Sequence, residues 1–145
     1  MENHIFFIKY TPQLPVEFFH MAKTFGEFGI KLVPVRPQDI SGVMGKRKIF
    51  AISMDNSIAT HRLSMDYKKR FFDYALLNRR LVLFDISSFG KALTAYRAER
   101  AKCYFHFPLP DTINHVVGKI TAAYLRDKRD VHIWPGGRRA KLPSG

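Results

Sequence analysis

The segment Lys48–Met54 reads KIFAISM, a short and mostly apolar run without a polar face. A continuous run of this kind is typical of a strand that is buried on both sides, as in a parallel sheet covered by helices. Four similar runs lie along the chain, at His4–Tyr10, Ile30–Val35, Leu81–Ile86 and Cys103–Phe107. Pro34 removes a backbone N–H group from the second run, so we expect that strand near an edge of the sheet.

Segments with helical spacing separate these runs. Apolar residues recur at i, i+3 and i+4 from Val16 to Phe28, and Gly29 is a typical helix stop. Residues 37–45 predict a polar connection with about one helical turn. A long helix is expected within residues 56–80, best from about Ser64. Its predicted apolar stripe consists of Met65, Phe72 and Leu76.

Two more helices are predicted in the second half of the chain. A short one covers residues 91–101, with Leu93 and Tyr96 facing inward. A final helix follows Asp111, a good N-cap residue. Its predicted apolar side consists of Ile113, Val116, Val117, Ile120 and Tyr124.

Alternation of strands with helices predicts parallel pairing, with crossover helices on both faces of the sheet. We therefore predict an α/β domain over residues 1–130, with a doubly wound, five-stranded parallel sheet. Residues 131–145 are expected to form a basic tail or linker, because Pro135-Gly136-Gly137 breaks regular structure. In such a sheet the ligand crevice lies at the carboxyl ends of the strands.

The composition limits the classes of function. The chain of 145 residues carries 24 Lys and Arg against 12 Asp and Glu, a formal net charge of +12. This charge favours polyanionic partners, so nucleic acid is a possible ligand through basic patches, although solvated surface patches explain it equally well. The single Cys103 excludes a disulfide scaffold, and no apolar run is long enough for a membrane span. A cytoplasmic protein is expected.

The predicted crevice offers little for catalysis. The loop after the first strand reads KYTPQLP and lacks the glycines of a phosphate-binding loop. Asp55 and Asp85 are the available acids, while Lys9 stands where a magnesium site would want a carboxylate. The six His residues show no metal-binding spacing. We expect no metal, no cofactor and no enzymatic activity.

The order of elements from residue 4 to about residue 129, with a final segment PLPDTINHVVGKITAAYL, resembles the receiver domain of bacterial response regulators. In that family an acid pair after the first strand binds Mg²⁺, and an Asp ending the third strand accepts phosphate. By position, the resemblance assigns the acid pair to Lys9 and Tyr10. It assigns the phosphoacceptor to Ser53, or to Asp55 if the strand shifts by two residues.

The resemblance also assigns the residues that respond to phosphorylation. The hydroxyl position falls on Ser87 or Ser88, and the switch aromatic on Tyr104. The Lys-Pro pair falls on Phe107-Pro108, or less well on Leu109-Pro110. Loss of the acid pair and of the Lys removes the charges on which phosphoryl transfer depends. The resemblance therefore implies a degenerate pseudo-receiver whose phosphoacceptor is inactive.

A pseudo-receiver implies a signalling module that binds a protein partner or a second copy of itself, independent of phosphorylation. The surface that receivers commonly use would here carry Tyr96, Arg97, Arg100, Tyr104 and Lys119. Aromatic and Arg side chains dominate the energetics of many interfaces.

Other interpretations stay open at this stage. The segment Asp85–Gly90 reads DISSFG and fits the DxSxxG pattern of PilZ domains, which are β-barrels that bind cyclic di-GMP. The spacing of Arg62, Arg70, Arg79 and Arg80 does not supply the RxxxR arm of that family. An unrelated five-stranded α/β domain and a nucleic-acid-binding protein are the remaining alternatives.

Overall fold

The computed structural model describes residues 3–45, 47–55, 57–87, 103–108 and 113–133. Five strands lie in these ranges: β1 (His4–Ile8), β2 (Lys31–Val35), β3 (Ile49–Asp55), β4 (Leu81–Ser87) and β5 (Tyr104–Pro108). They form one sheet in the order β2-β1-β3-β4-β5, and every neighbouring pair is parallel. The predicted five-stranded parallel sheet is confirmed, and β2, which contains Pro34, lies at an edge as expected.

Four α-helices connect or follow the described strands: α1 (Val16–Glu27), α2 (Ile40–Met44), α3 (Ile58–Asn78) and α4 (Ile113–Ile133). A 3₁₀ turn at Pro37–Asp39 precedes α2. The end of α4 lies beyond residue 130, where the sequence predicts the end of the domain. The predicted helix over residues 91–101 and the cap at Asp111 lie outside the described residues. None of the described helices combines the length and the apolarity that a bilayer span requires.

The helices cover both faces of the sheet, which makes it doubly wound. On one face α1 and α4 pack against Phe50, Ile52 and Phe84. On the other face α2 and α3 pack against Ala51 and Leu83. Every residue of β3 and β4 is buried, as expected for strands covered on both sides.

The predicted long helix within residues 56–80 is present as α3, but its start and one residue of its predicted apolar stripe differ from expectation. The helix begins at Ile58 rather than near Ser64, because the Ser57 hydroxyl accepts a hydrogen bond from the Thr60 N–H (3.1 Å) and caps the first turn. Met65, which the sequence placed in the apolar stripe, is exposed. The side chains buried against the sheet are Ser64, Lys68, Phe71 and Ala75.

The PilZ alternative is wrong, because that family requires a β-barrel. Asp85, Ile86 and Ser87 lie within the buried strand β4 of a parallel sheet. The segment after β5 leads into α4 instead of another strand.

Candidate functional site

Polar side chains replace apolar ones where β3 and β4 approach their carboxyl ends. Ser53 pairs in register with Asp85, and Asp55 pairs with Ser87. All four residues are at most 3% exposed. Their side chains lie on the same face of the sheet as those of Ala51 and Leu83, because alternate residues of a strand point to the same side. Two carboxylates are thus buried side by side, which is costly without a positive partner.

The partner is the ammonium of Lys68, which reaches the sheet from α3. Its Nζ lies 3.2 Å from Asp55 Oδ2 and 3.0 Å from Asp85 Oδ1. The Lys68 side chain is only 7% exposed. One buried cation therefore bridges both carboxylates, and the arrangement has a net charge of about −1 when all three groups are ionised.

Two further α3 side chains surround the same carboxylate oxygen. His61 Nδ1 lies 2.6 Å from Asp55 Oδ2. The Ser64 hydroxyl lies within 3.3 Å of this oxygen and 3.1 Å from the His61 carbonyl oxygen, so it can donate to either. Asp55 Oδ2 is thus in contact with His61, Ser64 and Lys68, whereas Oδ1 has no hydrogen-bond partner among the described residues.

Tyr10, which follows β1, contacts this polar cluster through Ser53. Its hydroxyl lies 2.6 Å from Ser53 Oγ, and either group can donate. Burial raises the pKa of Tyr10 far above its usual value; the Ser53 hydrogen bond acts against this, and the charges of Asp85 and Asp55 add to it. The residue that occupies one position of the predicted acid pair is therefore a neutral phenol.

Lys9 occupies the other position of the pair, but the cation in contact with the carboxylates is Lys68. The Lys9 N–H donates to the Val35 carbonyl oxygen (2.8 Å). The residue lines an open cleft of about 510 Å³, together with Thr11, Ser57 and other residues. The ammonium in contact with Asp55 therefore comes from Lys68 of α3.

The switch positions are only partly described. Ser87 lies in register with both Asp55 and Pro108, at the ends of β4 and β5. Phe107 packs on the opposite face of the sheet, with its ring 6.3 Å from that of Phe84. Tyr104 belongs to β5, in register with Leu83. Ser88, Leu109, Pro110, Tyr96, Arg97 and Arg100 lie outside the described residues, and Lys119 is exposed on α4.

Sequence reasoning missed three members of the site. The spacings from His61 to Ser64 and from Ser64 to Lys68 are three and four residues, so these side chains share the face of α3 that returns to the sheet. Lys68 belongs to the run Lys68-Lys69-Arg70, which is typical of a solvated surface. Lys68 lies at helical spacing from Ser64, Phe71 and Ala75, and this spacing was the available sign that its side chain is buried.

A parallel sheet in the order 2-1-3-4-5, with its polar site at the carboxyl ends of the strands, defines the receiver or flavodoxin-like fold. Solved response regulators show the same fold. A response regulator from Thermotoga maritima is similar over 86% of this chain and 99% of its own, with a TM-score of 0.60 and 6% identity.

Two other solved structures are similar in fold. NtrX from Brucella abortus, solved with ADP, has a TM-score of 0.57 and 13% identity over all of this chain; the match spans 32% of the NtrX chain. A pilus assembly-related protein from Burkholderia pseudomallei has a TM-score of 0.52 and 13% identity, over 86% of this chain and 90% of its own. No protein-family model and no curated protein matches the sequence.

Proposed function

We propose that this chain is a non-catalytic, degenerate receiver: a signalling module that binds a protein partner, or a second copy of itself, independent of phosphorylation. The receiver-like fold supports a role in signalling. The observation that carries the rest is the Lys68 ammonium, which lies between Asp55 and Asp85. A cytoplasmic location is part of the proposal, because the single Cys103 is buried as a thiol.

The site is poorly suited to accept a phosphoryl group. Transfer to a carboxylate requires a cation that neutralises the incoming charge and a carboxylate that the phosphoryl donor can reach, whereas Asp55 is fully buried. A divalent ion at Asp55 and Asp85 would have to displace Lys68 or sit beside its positive charge. Tyr10 stays a neutral phenol because burial raises its pKa, so it supplies no anionic ligand.

We expect beryllofluoride or acetyl phosphate, added with Mg²⁺, to leave the protein unchanged. The reason is that Lys68 already occupies the space between the carboxylates that a metal would need. Amide resonances of residues 53–57 and 85–87 measure the response directly. Fluoride alone and Mg²⁺ alone are the controls, and saturable shifts around Asp55 that need both Mg²⁺ and the phosphoryl mimic would contradict the proposal.

The second part of the proposal concerns a partner surface that includes β5 and α4. β5 is an edge strand of the described sheet, and Lys119 is exposed on α4. The sequence adds Tyr96, Arg97 and Arg100, which lie outside the described residues, and Tyr104 of β5. Aromatic and guanidinium groups supply most of the binding energy at many interfaces.

Charge reversal at Arg97 and Arg100 is expected to weaken association about ten-fold or more, because it places two repulsive charges on the binding surface. Sedimentation measures self-association, and a pull-down with the wild-type and variant chains measures partner binding. Lys119→Glu should act in the same direction. Lys23→Glu, on the exposed side of α1, is the matched control. Equal association of all variants would exclude this surface.

A further inference from the structure

The cleft that Lys9 lines opens at the carboxyl ends of the neighbouring strands β1 and β3. The chain leaves β1 for α1 on one face of the sheet, and it leaves β3 for α3 on the other face. Connections that diverge in this way leave a crevice between the two strands, which is where open α/β sheets bind ligands. The cleft has a volume of about 510 Å³, within the size range of small-molecule sites.

Part of the cleft is apolar. Met54 lines it, and the side chain of this residue is buried in the core between the sheet and α1. Leu14 is half-buried and packs against the same core. Pro12 and Pro15 are also lining residues. A ligand that fills this part of the cleft must therefore have an apolar body, because a polar group there would lose its hydrogen bonds to water.

The cleft also carries hydroxyl groups and a cation. The Ser57 hydroxyl donates to Thr60 Oγ1 (2.9 Å) and accepts from the Thr60 N–H (3.1 Å). Thr60 Oγ1 is the acceptor in the first of these bonds, so its own proton can be donated to a ligand. Lys9 supplies the ammonium, and no carboxylate in the described part of the chain forms an ion pair with it. An ammonium and a hydroxyl donor beside an apolar wall suit an organic anion.

The charges near the cleft favour an anion with a single negative charge. Tyr10 lines the cleft, and burial raises the pKa of its hydroxyl, against the effect of the Ser53 hydrogen bond. The charges of Asp85 and Asp55 raise the pKa of Tyr10 further, so their negative potential reaches the cleft wall. A phosphate monoester, with close to two negative charges, meets this repulsion with one ammonium to offset it. A monoanion gains the attraction of Lys9 at half the repulsion, and a neutral molecule gains no such attraction.

We propose that the cleft binds a small organic acid with an apolar body and one carboxylate. The carboxylate accepts hydrogen bonds from the Lys9 ammonium and the Thr60 hydroxyl, and the body packs against Met54 and Leu14. Met54 and Asp55 are consecutive residues of β3, so their side chains point to opposite faces of the sheet. The ligand body therefore lies on the face opposite the buried carboxylates. This inference is independent of the proposed partner surface, which includes β5 and α4.

A series of matched ligands tests the proposal by NMR titration of the full wild-type chain at neutral pH. Phenylacetate joins a ring to one carboxylate, phenylacetamide keeps this shape without the charge, acetate lacks the ring, and phenyl phosphate carries the larger charge. We expect phenylacetate to bind saturably and to shift the amide resonances of Lys9, Thr11 and Thr60. Each of the other three should bind at least about ten-fold more weakly, because it loses one contact or adds a repelled charge.

Lys9→Met removes the ammonium and conserves the volume of the side chain. This variant should bind phenylacetate about ten-fold more weakly than the wild type, and phenylacetamide within about two-fold of the wild type. Lys31→Met is the matched control, since Lys31 is exposed at the amino-terminal end of β2, away from the cleft. It should change both affinities less than about two-fold. Leu14→Ala should weaken both ligands by the same factor, because it shortens the apolar wall and leaves the charge in place.

Several results would overturn the proposal. Equal losses of phenylacetate affinity in Lys9→Met and Lys31→Met would show a general effect of net charge instead of a site. Phenyl phosphate that binds as tightly as phenylacetate would assign the cleft to phosphate esters. Failure of the wild-type chain to bind phenylacetate saturably, or shifts confined to residues outside the cleft, would exclude the site. The ligand series needs only the wild-type chain, so it decides the question even where a variant does not fold.

Discussion

Replacing Lys68 with Met is expected to lower the free energy of unfolding by about 3–5 kcal/mol at neutral pH. Met conserves the volume of the buried side chain but removes the ammonium that lies 3.2 Å from Asp55 and 3.0 Å from Asp85. Two adjacent buried carboxylates then lose the ammonium that lies between them, and removing one partner of a buried ion pair costs far more than the original pair stabilises. Urea denaturation followed by circular dichroism measures the loss.

The pH dependence of this variant identifies the cause of the loss. The folded variant relieves the repulsion by binding a proton that the unfolded chain does not bind at the same pH. Stability relative to the wild type should therefore rise as pH falls from about 7 to 5. Lys69→Met changes the exposed neighbour on the same helix and should cost less than about 0.5 kcal/mol. A loss below about 1 kcal/mol for Lys68→Met would show that the ammonium does not neutralise the pair.

Neutralising all three groups together tests whether charge, rather than packing, explains the loss. The triple variant Asp55→Asn, Lys68→Met, Asp85→Asn keeps the volumes of the side chains and removes every charge. It should recover most of the stability that Lys68→Met loses, because no uncompensated charge remains buried.

The sheet was predictable because its strands are short apolar runs that need no tertiary information. IFAISM and LVLFDI are buried along their whole length, as their lack of a polar face predicts. Pro34 placed β2 at an edge because a proline cannot donate within a ladder. These signals are local, and the alternation of strands with helices then restricts the topology to a few possibilities.

The site was only partly predictable, because its central contact joins residues from two separate elements. Asp55 stands at the end of a strand and was a candidate from sequence. Lys68 carries a charge that is rarely buried, and only its pairing with Asp55 and Asp85 makes burial possible. An apolar criterion therefore selected Met65, which is exposed, and passed over Lys68, which is buried.

Phe84→Ala is the second substitution with a large expected effect, about 3–5 kcal/mol in the free energy of unfolding. Phe84 belongs to β4, and its side chain is fully buried on the face of the sheet opposite Lys68. Its ring stacks on those of Phe105 (5.5 Å) and Phe50 (6.4 Å). Truncation leaves a cavity between three strands, and covered strands cannot collapse to fill it. Thermal and urea denaturation measure the change.

The pH dependence of the stability loss should differ between Phe84→Ala and Lys68→Met, because the two residues lie on opposite faces of the sheet. The loss in Phe84→Ala comes from apolar contacts and a cavity, so it should stay constant between about pH 7 and 5, unlike the loss in Lys68→Met. Phe19→Ala is the matched control, since that ring is 59% exposed on α1 and should cost less than about 1 kcal/mol. A loss in Phe84→Ala that also shrinks at low pH would mean that the two faces are coupled. Damage to the apolar face would then disturb the Asp55–Lys68–Asp85 contact, and the polar site could not be treated as an independent unit.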